Sequence, residues 1–188
     1  MARLNNFLSR IDFTALTDYI TAHGVPVFYP KGTPLVEIGR RCRYAGIIRS
    51  GYFKFAAINS KGNEVVAGFL FEGDVITDYV RGFLRGEPSM IAIIAGSDAE
   101  LLRVPIDDLR RYIMEQDENF VADASSHVLH EAYSRYLDVL IKTPSERYHE
   151  LMARCPGEIN SIPIQELASF LRVSRRQLHR IREEEYDK

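Results

Sequence analysis

Between Val25 and Val104 the apolar residues come in short runs rich in β-branched and aromatic side chains, and from Pro105 onward they recur at helical spacing. That change of period divides the chain. The runs cover 25–29, 35–38, 44–48, 52–58, 64–71, 90–95 and 99–104, and turn formers separate them: Pro30-Lys-Gly32, Ser50-Gly51, Asn59-Ser-Lys-Gly62, Glu72-Gly-Asp74 and Gly96-Ser-Asp98. About seven strands so spaced can each bury one face only against a second sheet, which predicts a sandwich or jelly roll. An amphipathic stretch, 12–23, precedes them and is closed by Gly24. Between Asp74 and Pro88 the period is mixed and two glycines intervene, which suits a short helix or a ligand-facing loop.

In the second half Pro105 is expected at the first position of a helix whose first turn carries Asp107 and Asp108. A longer helix over about 118–142 places Val121, Ala124, Val128, Ala132, Tyr136 and Val139 at steps of three and four. At 1.5 Å per residue it runs about 37 Å, longer than the neighbouring sheets require, so its stripe is expected to pair with a second copy. Thr143-Pro-Ser-Glu146 has the pattern of a capping box, marks a hinge and opens a new unit.

With 188 residues, 46% hydrophobic and 27% charged, the chain has the make-up of one large or two small globular domains. Cys42 and Cys155 match no zinc, haem or iron–sulfur spacing, and His23 is the only histidine before residue 127, so neither metal nor cofactor is expected. His127 and His130 read as surface or interface imidazoles, and Tyr133 and Tyr136 as interface packing. No nucleophile elbow, phosphate loop or dinucleotide fingerprint appears, which argues against an enzyme. The polar start and the absence of an eighteen-residue apolar run predict a cytoplasmic protein with no membrane span.

The most informative segment is 164–182. Leu167, Leu171, Val173, Leu178 and Ile181 place the apolar faces of two short helices opposite each other, and Ala168 is small enough for a close crossing. Ser174 is positioned as N-cap of the second helix. Arg175, Arg176, His179 and Arg180 then share its outward face, while Arg172, Ser174 and Arg182 are candidates for phosphate contacts. Five arginines and no acid lie between Arg172 and Arg182, in a chain whose net charge is -2. Guanidinium forks can read guanine edges. Against this, Glu183-Glu-Glu185 repels phosphate unless it lies beyond the groove, and Arg172 occupies a turn position that suits glycine if φ is positive.

Pro30-Lys-Gly-Thr33, Arg49-Ser-Gly51 and Phe71-Glu-Gly-Asp74, followed by a long helix and then this helix pair, resemble the CRP/FNR family of bacterial transcription regulators from about Phe28 to Arg182. The resemblance implies an α+β fold: an N-terminal double-stranded β-helix (jelly roll), a long dimerisation helix and a C-terminal helix-turn-helix. Residues 1–117 would be a cyclic-nucleotide-binding-like sensor domain, 118–142 the dimerisation helix and 143–188 the DNA-binding domain. Six residues after Arg182 are too few for a full wing. It also implies a homodimer on double-stranded DNA, with Arg175 and Arg180 reading bases; where relatives that read a guanine-rich half-site carry an acid after the first arginine, this chain has Arg176. A small-molecule effector and RNA polymerase are candidate partners that the residues do not identify. Counting from Gly73-Asp74 puts Thr77-Asp78 where cyclic-nucleotide binders hold the ribose, and Pro88-Ser89 where an Arg-Ser pair takes the phosphate. Asp78 can accept a sugar hydroxyl; Pro88 supplies neither charge nor N–H, so the phosphate would need Arg81 or Arg85. Tight cyclic-AMP binding is therefore not expected, and the candidate pocket is Thr77, Asp78, Arg81, Arg85 and Ser89. The alternatives are a ligand-binding or protein-interaction module that has lost DNA binding, and a metal-dependent β-barrel enzyme.

Overall fold

The computed structural model describes residues 4–186. A 3-10 turn, Asn6–Arg10, leads into α1 (Thr14–His23), whose last turn is closed by Gly24 N–H donating to the Ile20 carbonyl. Eight strands follow: β1 (Val25–Tyr29), β2 (Pro34–Val36), β3 (Tyr44–Ser50), β4 (Tyr52–Ile58), β5 (Glu64–Phe71), β6 (Val75–Ile76), β7 (Ala92–Ala95) and β8 (Ala99–Pro105). They form two antiparallel four-stranded sheets, ordered β1-β8-β3-β6 and β2-β7-β4-β5. Alternate residues of both sheets face one core, where Ile48, Leu101 and Ile76 of the first meet Phe53, Ile93 and Ala95 of the second. Gly51 turns β3 into β4 at φ +76, where any Cβ would lie 2.4 Å from the Asp98 carbonyl oxygen.

All seven of the expected strands match in place to within two residues, and β6 is an addition: two residues are too short to show a period. The segment of mixed period forms a π-helix, Tyr79–Arg85, in which Phe83 N–H reaches five residues back to the Asp78 carbonyl at 2.8 Å. Pro105 is not the first helical residue. It ends β8, opposite Tyr44 of β3, and α2 begins after it (Ile106–Gln116).

The remaining helices are α3 (Phe120–Ile141), α4 (Pro144–Arg154), α5 (Pro156–Ser161), α6 (Ile164–Phe170) and α7 (Arg175–Tyr186). Thr143 and Glu146 form the capping box reciprocally at the start of α4. At its N-terminal end the expected stripe packs within the chain: Ala124 is buried, and Val121 packs against the same core. Its C-terminal end is bare at Tyr136 and Val139, and a row through Tyr136 is exposed along the helix. Leu129, Tyr133, Tyr136 and Leu140 are 70%, 59%, 61% and 62% exposed, at steps of four, three and four.

A second core joins the two halves. Tyr52, Val66, Phe69 and Phe71 on the outside of β4 and β5 pack with Tyr148, Leu151 and Ile159 and with the inward residues of α6 and α7. The break at Thr143 is thus a break in helix direction, not in packing.

Candidate nucleic-acid interface and effector cavity

The helix pair α6–α7 is built from its apolar side. Leu167, Ala168, Leu171, Leu178 and Ile181 are buried, and Val173 N–H donates to the Ala168 carbonyl at 3.0 Å, closing the turn. Arg172 sits in that turn at φ +60, the only non-glycine residue with positive φ among those described. Ser174 Oγ accepts Gln177 N–H at 3.1 Å, satisfying an otherwise unpaired donor at the start of α7. With Leu178 and Ile181 inward, Arg175, Arg176, His179 and Arg180 all face solvent, as do Arg172 and Ser174. Glu184 lies one turn beyond Arg180, 3.8 Å from its guanidinium. The side chain of Glu185 lies outside the described residues.

Arg182 departs from the expected row. It follows Ile181 and lies four residues after Leu178, so it borders the buried stripe. Its guanidinium rests 5.7 Å from the Tyr148 ring centroid with Nε buried.

Three ties that the sequence does not reveal fix this pair to the rest of the chain. Glu166 of α6 accepts the Tyr52 hydroxyl at 3.0 Å and the Lys54 ammonium at 2.9 Å, and Lys54 also holds Glu64 at 2.7 Å. Burial, then the Glu166 carboxylate, pushes the Tyr52 phenol well above its ordinary value. Burial opposes the Lys54 ammonium, yet its bonds to Glu64 and Glu166 outweigh that and raise its pKa. Ser169 Oγ accepts Val66 N–H of β5 at 2.9 Å, and Arg147 of α4 donates to the carbonyls of Lys142 and Leu171 at 2.6 and 2.9 Å.

A cavity of about 510 Å³ lies between β4–β5, the π-helix, the N-terminal 3-10 turn and α3. Of the five residues expected to line an effector pocket, Thr77 alone borders this cavity. Asp78 is 5% exposed and caps the π-helix, its Oδ1 accepting Arg81 N–H at 3.2 Å and its Oδ2 buried without a partner. Arg81 is held outside by Glu87 at 3.0 Å and the Pro88 carbonyl at 3.0 Å, and Arg85 is 63% exposed beside the same Glu87. Ser89 is buried, and its hydroxyl bonds the backbone of Ile91. The cavity's polar residues are Asn5, Thr77, Tyr79, Glu131 and Arg135, separated by up to 130 positions.

Among the described residues no group of three or more His, Cys, Asp and Glu is arranged to hold a metal; His127 lies 3.6 Å from Asp123 on α3. No helix among them is long and apolar enough to cross a membrane.

Two antiparallel sheets lead through a long helix to a basic helix pair. Residues 26–116 match the cyclic nucleotide-binding domain family. In fold the chain is similar to FixK2 from Bradyrhizobium japonicum, with a TM-score of 0.70 and 17% identity over 87% of this chain and 85% of that one. It is similar as well to CLP from Xanthomonas campestris, described as a c-di-GMP responsive global regulator (0.68, 15%, 94% and 92%). A third is a transcriptional regulator of the CRP/FNR family from Eubacterium rectale (0.63, 18%, 94% and 86%). No curated protein sequence matches the chain significantly. The family model thus spans the two sheets and α2, and the fold as a whole is similar to that of a regulator described as CRP/FNR.

Proposed function

We propose that the chain is a cytoplasmic, homodimeric, sequence-specific DNA-binding transcription regulator and not an enzyme, governed by a small molecule in its N-terminal domain. In this reading the two sheets are a β-roll sensor (1–117), 118–142 joins two copies, and 143–188 carries a helix-turn-helix formed by α6 and α7. The observation that carries it is the exposed row Arg175, Arg176, His179 and Arg180, opposite the buried Leu178 and Ile181 of α7. Such a face fits a major groove, and guanidinium forks supply base discrimination. The bare row on α3 supports pairing with a second copy, which would set two recognition helices about 34 Å apart. Arg172 and Ser174 are the phosphate-positioning candidates. Thr77 is the one expected pocket residue that faces the 510 Å³ cavity, which we take as the effector site. RNA polymerase is a further partner for an activator of this type.

Selection of bound duplexes from a random pool tests DNA binding, symmetry and half-site together. A near-palindrome is expected, with Arg180→Ala weakening it by roughly 1–3 kcal/mol and relaxing preference at one base pair. Failure to enrich any sequence, or affinity indifferent to salt, refutes the reading.

A further inference from the structure

The cavity walls are aromatic and aliphatic: Phe55 and Phe69 from β4–β5, Tyr79 and Phe83 from the π-helix, Leu8 from the N-terminal turn and Val128 from α3. Its polar groups are already engaged. Tyr79 Oη meets Ser125 Oγ at 2.9 Å, and the Asn5 amide donates to the Phe69 carbonyl and Asp74 and accepts from Arg135 at 3.1 Å. Thr77 Oγ1 is turned to the Tyr44 carbonyl at 3.5 Å. Arg135, the one cation on the wall among the described residues, is paired with Glu131 at 2.6 Å, so an incoming anion meets a carboxylate beside that countercharge. Burying a phosphate there would leave it unneutralised.

We propose, building on the regulator reading, that the effector of this cavity is a neutral, predominantly apolar molecule and not a nucleotide. The volume is roughly three times the ~150 Å³ that accommodates one benzene ring, which fits two or three rings or a chain of about a dozen carbons. Occupancy reaches the DNA-binding half directly. Phe69, on the cavity wall, meets the Phe170 ring of α6 edge-on at 5.4 Å between centroids, and the Arg135 guanidinium lies 5.9 Å from the same ring.

The test uses the full chain and the neutral fluorophore N-phenyl-1-naphthylamine, whose emission is read without tryptophan background because the chain has none. Saturable binding is expected, with displacement by 1-dodecanol at micromolar concentration, at least tenfold weaker displacement by dodecanoate, and none by millimolar cyclic AMP. Val128→Phe, which fills the cavity, should weaken the probe at least tenfold while 1-dodecanol shifts the wild-type affinity for a selected duplex. Displacement by cyclic AMP, dodecanoate equal to dodecanol, or a folded Val128→Phe that binds the probe unchanged overturns the proposal. The competition series needs no variant, so it decides the ligand class even if Val128→Phe does not fold. Normal competition with no affinity for any duplex would instead refute the regulator reading and leave the ligand class standing.

Discussion

Replacing Glu166 by Gln should loosen the helix pair from the sheets without unfolding either. Glu166 uses both carboxylate oxygens on β4, one for Tyr52 and one for Lys54, and the Glu166 and Lys54 side chains are only 15% and 12% exposed. A glutamine keeps one carbonyl for the Tyr52 hydroxyl and loses the charge-assisted bond to Lys54. Such bonds contribute about 1.5–3 kcal/mol, and because Lys54 retains Glu64 it is not left unpaired, which places the loss near the lower end. About 1.5 kcal/mol is roughly a tenfold shift in the opening equilibrium. Val66 N–H reports that opening, because on the outer strand of its sheet it is donated to Ser169 Oγ. Its hydrogen exchange should accelerate about tenfold in Glu166→Gln, while amides of the central strand β8 such as Leu101 keep their rates. Because the Lys54 and Tyr52 values are both raised, this contribution is complete below their ordinary values near 10 and is lost only as pH climbs through the higher folded ones, so neutral pH is suitable. An unchanged rate at Val66, or equal acceleration at Leu101, would refute the claim that Glu166 holds the docked arrangement.

Arg172 at φ +60 carries backbone strain of about 1 kcal/mol, so Arg172→Gly should be at least as stable as wild type to urea, whereas Arg172→Val should lose more than about 1 kcal/mol; the reverse order would contradict the turn geometry. Leu129→Asp combined with Tyr136→Asp should yield a monomer of 21.5 kDa by light scattering, where wild type gives twice that mass, and an unaltered dimer would remove the bare row of α3 from the interface. The backbone and side-chain bonds of Thr143 hold the Glu146 carboxyl below its ordinary 4.5, so the stability it adds to the start of α4 is complete above that value and disappears as pH falls through the depressed one. Amide exchange of α4 between pH 6 and 3 should show this loss, and Glu146→Gln should abolish its pH dependence; Thr143→Ala should cost about 1 kcal/mol at neutral pH.

What could be read from the sequence was local. Ser174, Arg172 and the inward residues of α6 and α7 lie within fifteen positions of one another, so cap, turn and amphipathic spacing determine them together. The strands of the two sheets were legible for the same reason, with β6 too short to register. Pairings across the chain were not: Tyr52 and Glu166 are 114 positions apart and Asn5 and Arg135 130, and no periodicity says which distant residues meet. The long helix was legible in part. Val121 and Ala124 of its expected stripe pack against the core and Val128 faces the cavity, whereas Tyr136 and Val139 of the same stripe are bare, and spacing alone cannot tell where along one row the packing ends. Four of the five candidate pocket residues lie off this cavity: a count along the chain assumes no particular local fold, and here a π-helix carries Arg81 and Arg85.

Arg147 explains how a cavity far along the chain can bear on α7. Its guanidinium takes the Lys142 carbonyl at the end of α3 and the Leu171 carbonyl at the turn before α7, and a planar fork donating in two directions transmits displacement better than a flexible ammonium would. The helix pair is thus held at two places: by Arg147 to α3, and by Glu166 and Ser169 to β4 and β5. Both supports run into the cavity wall, which α3 and β4–β5 share. A molecule that changes the spacing between α3 and β4–β5 cannot leave both supports undisturbed, so α7 must turn with one or part from the other. Parting costs at least one charge-assisted bond, about 1.5–3 kcal/mol, and the ligand must supply that as a difference in its own affinity for the two arrangements, roughly 10- to 150-fold. A ligand that discriminates less than this would occupy the cavity and leave the placement of α7 unchanged.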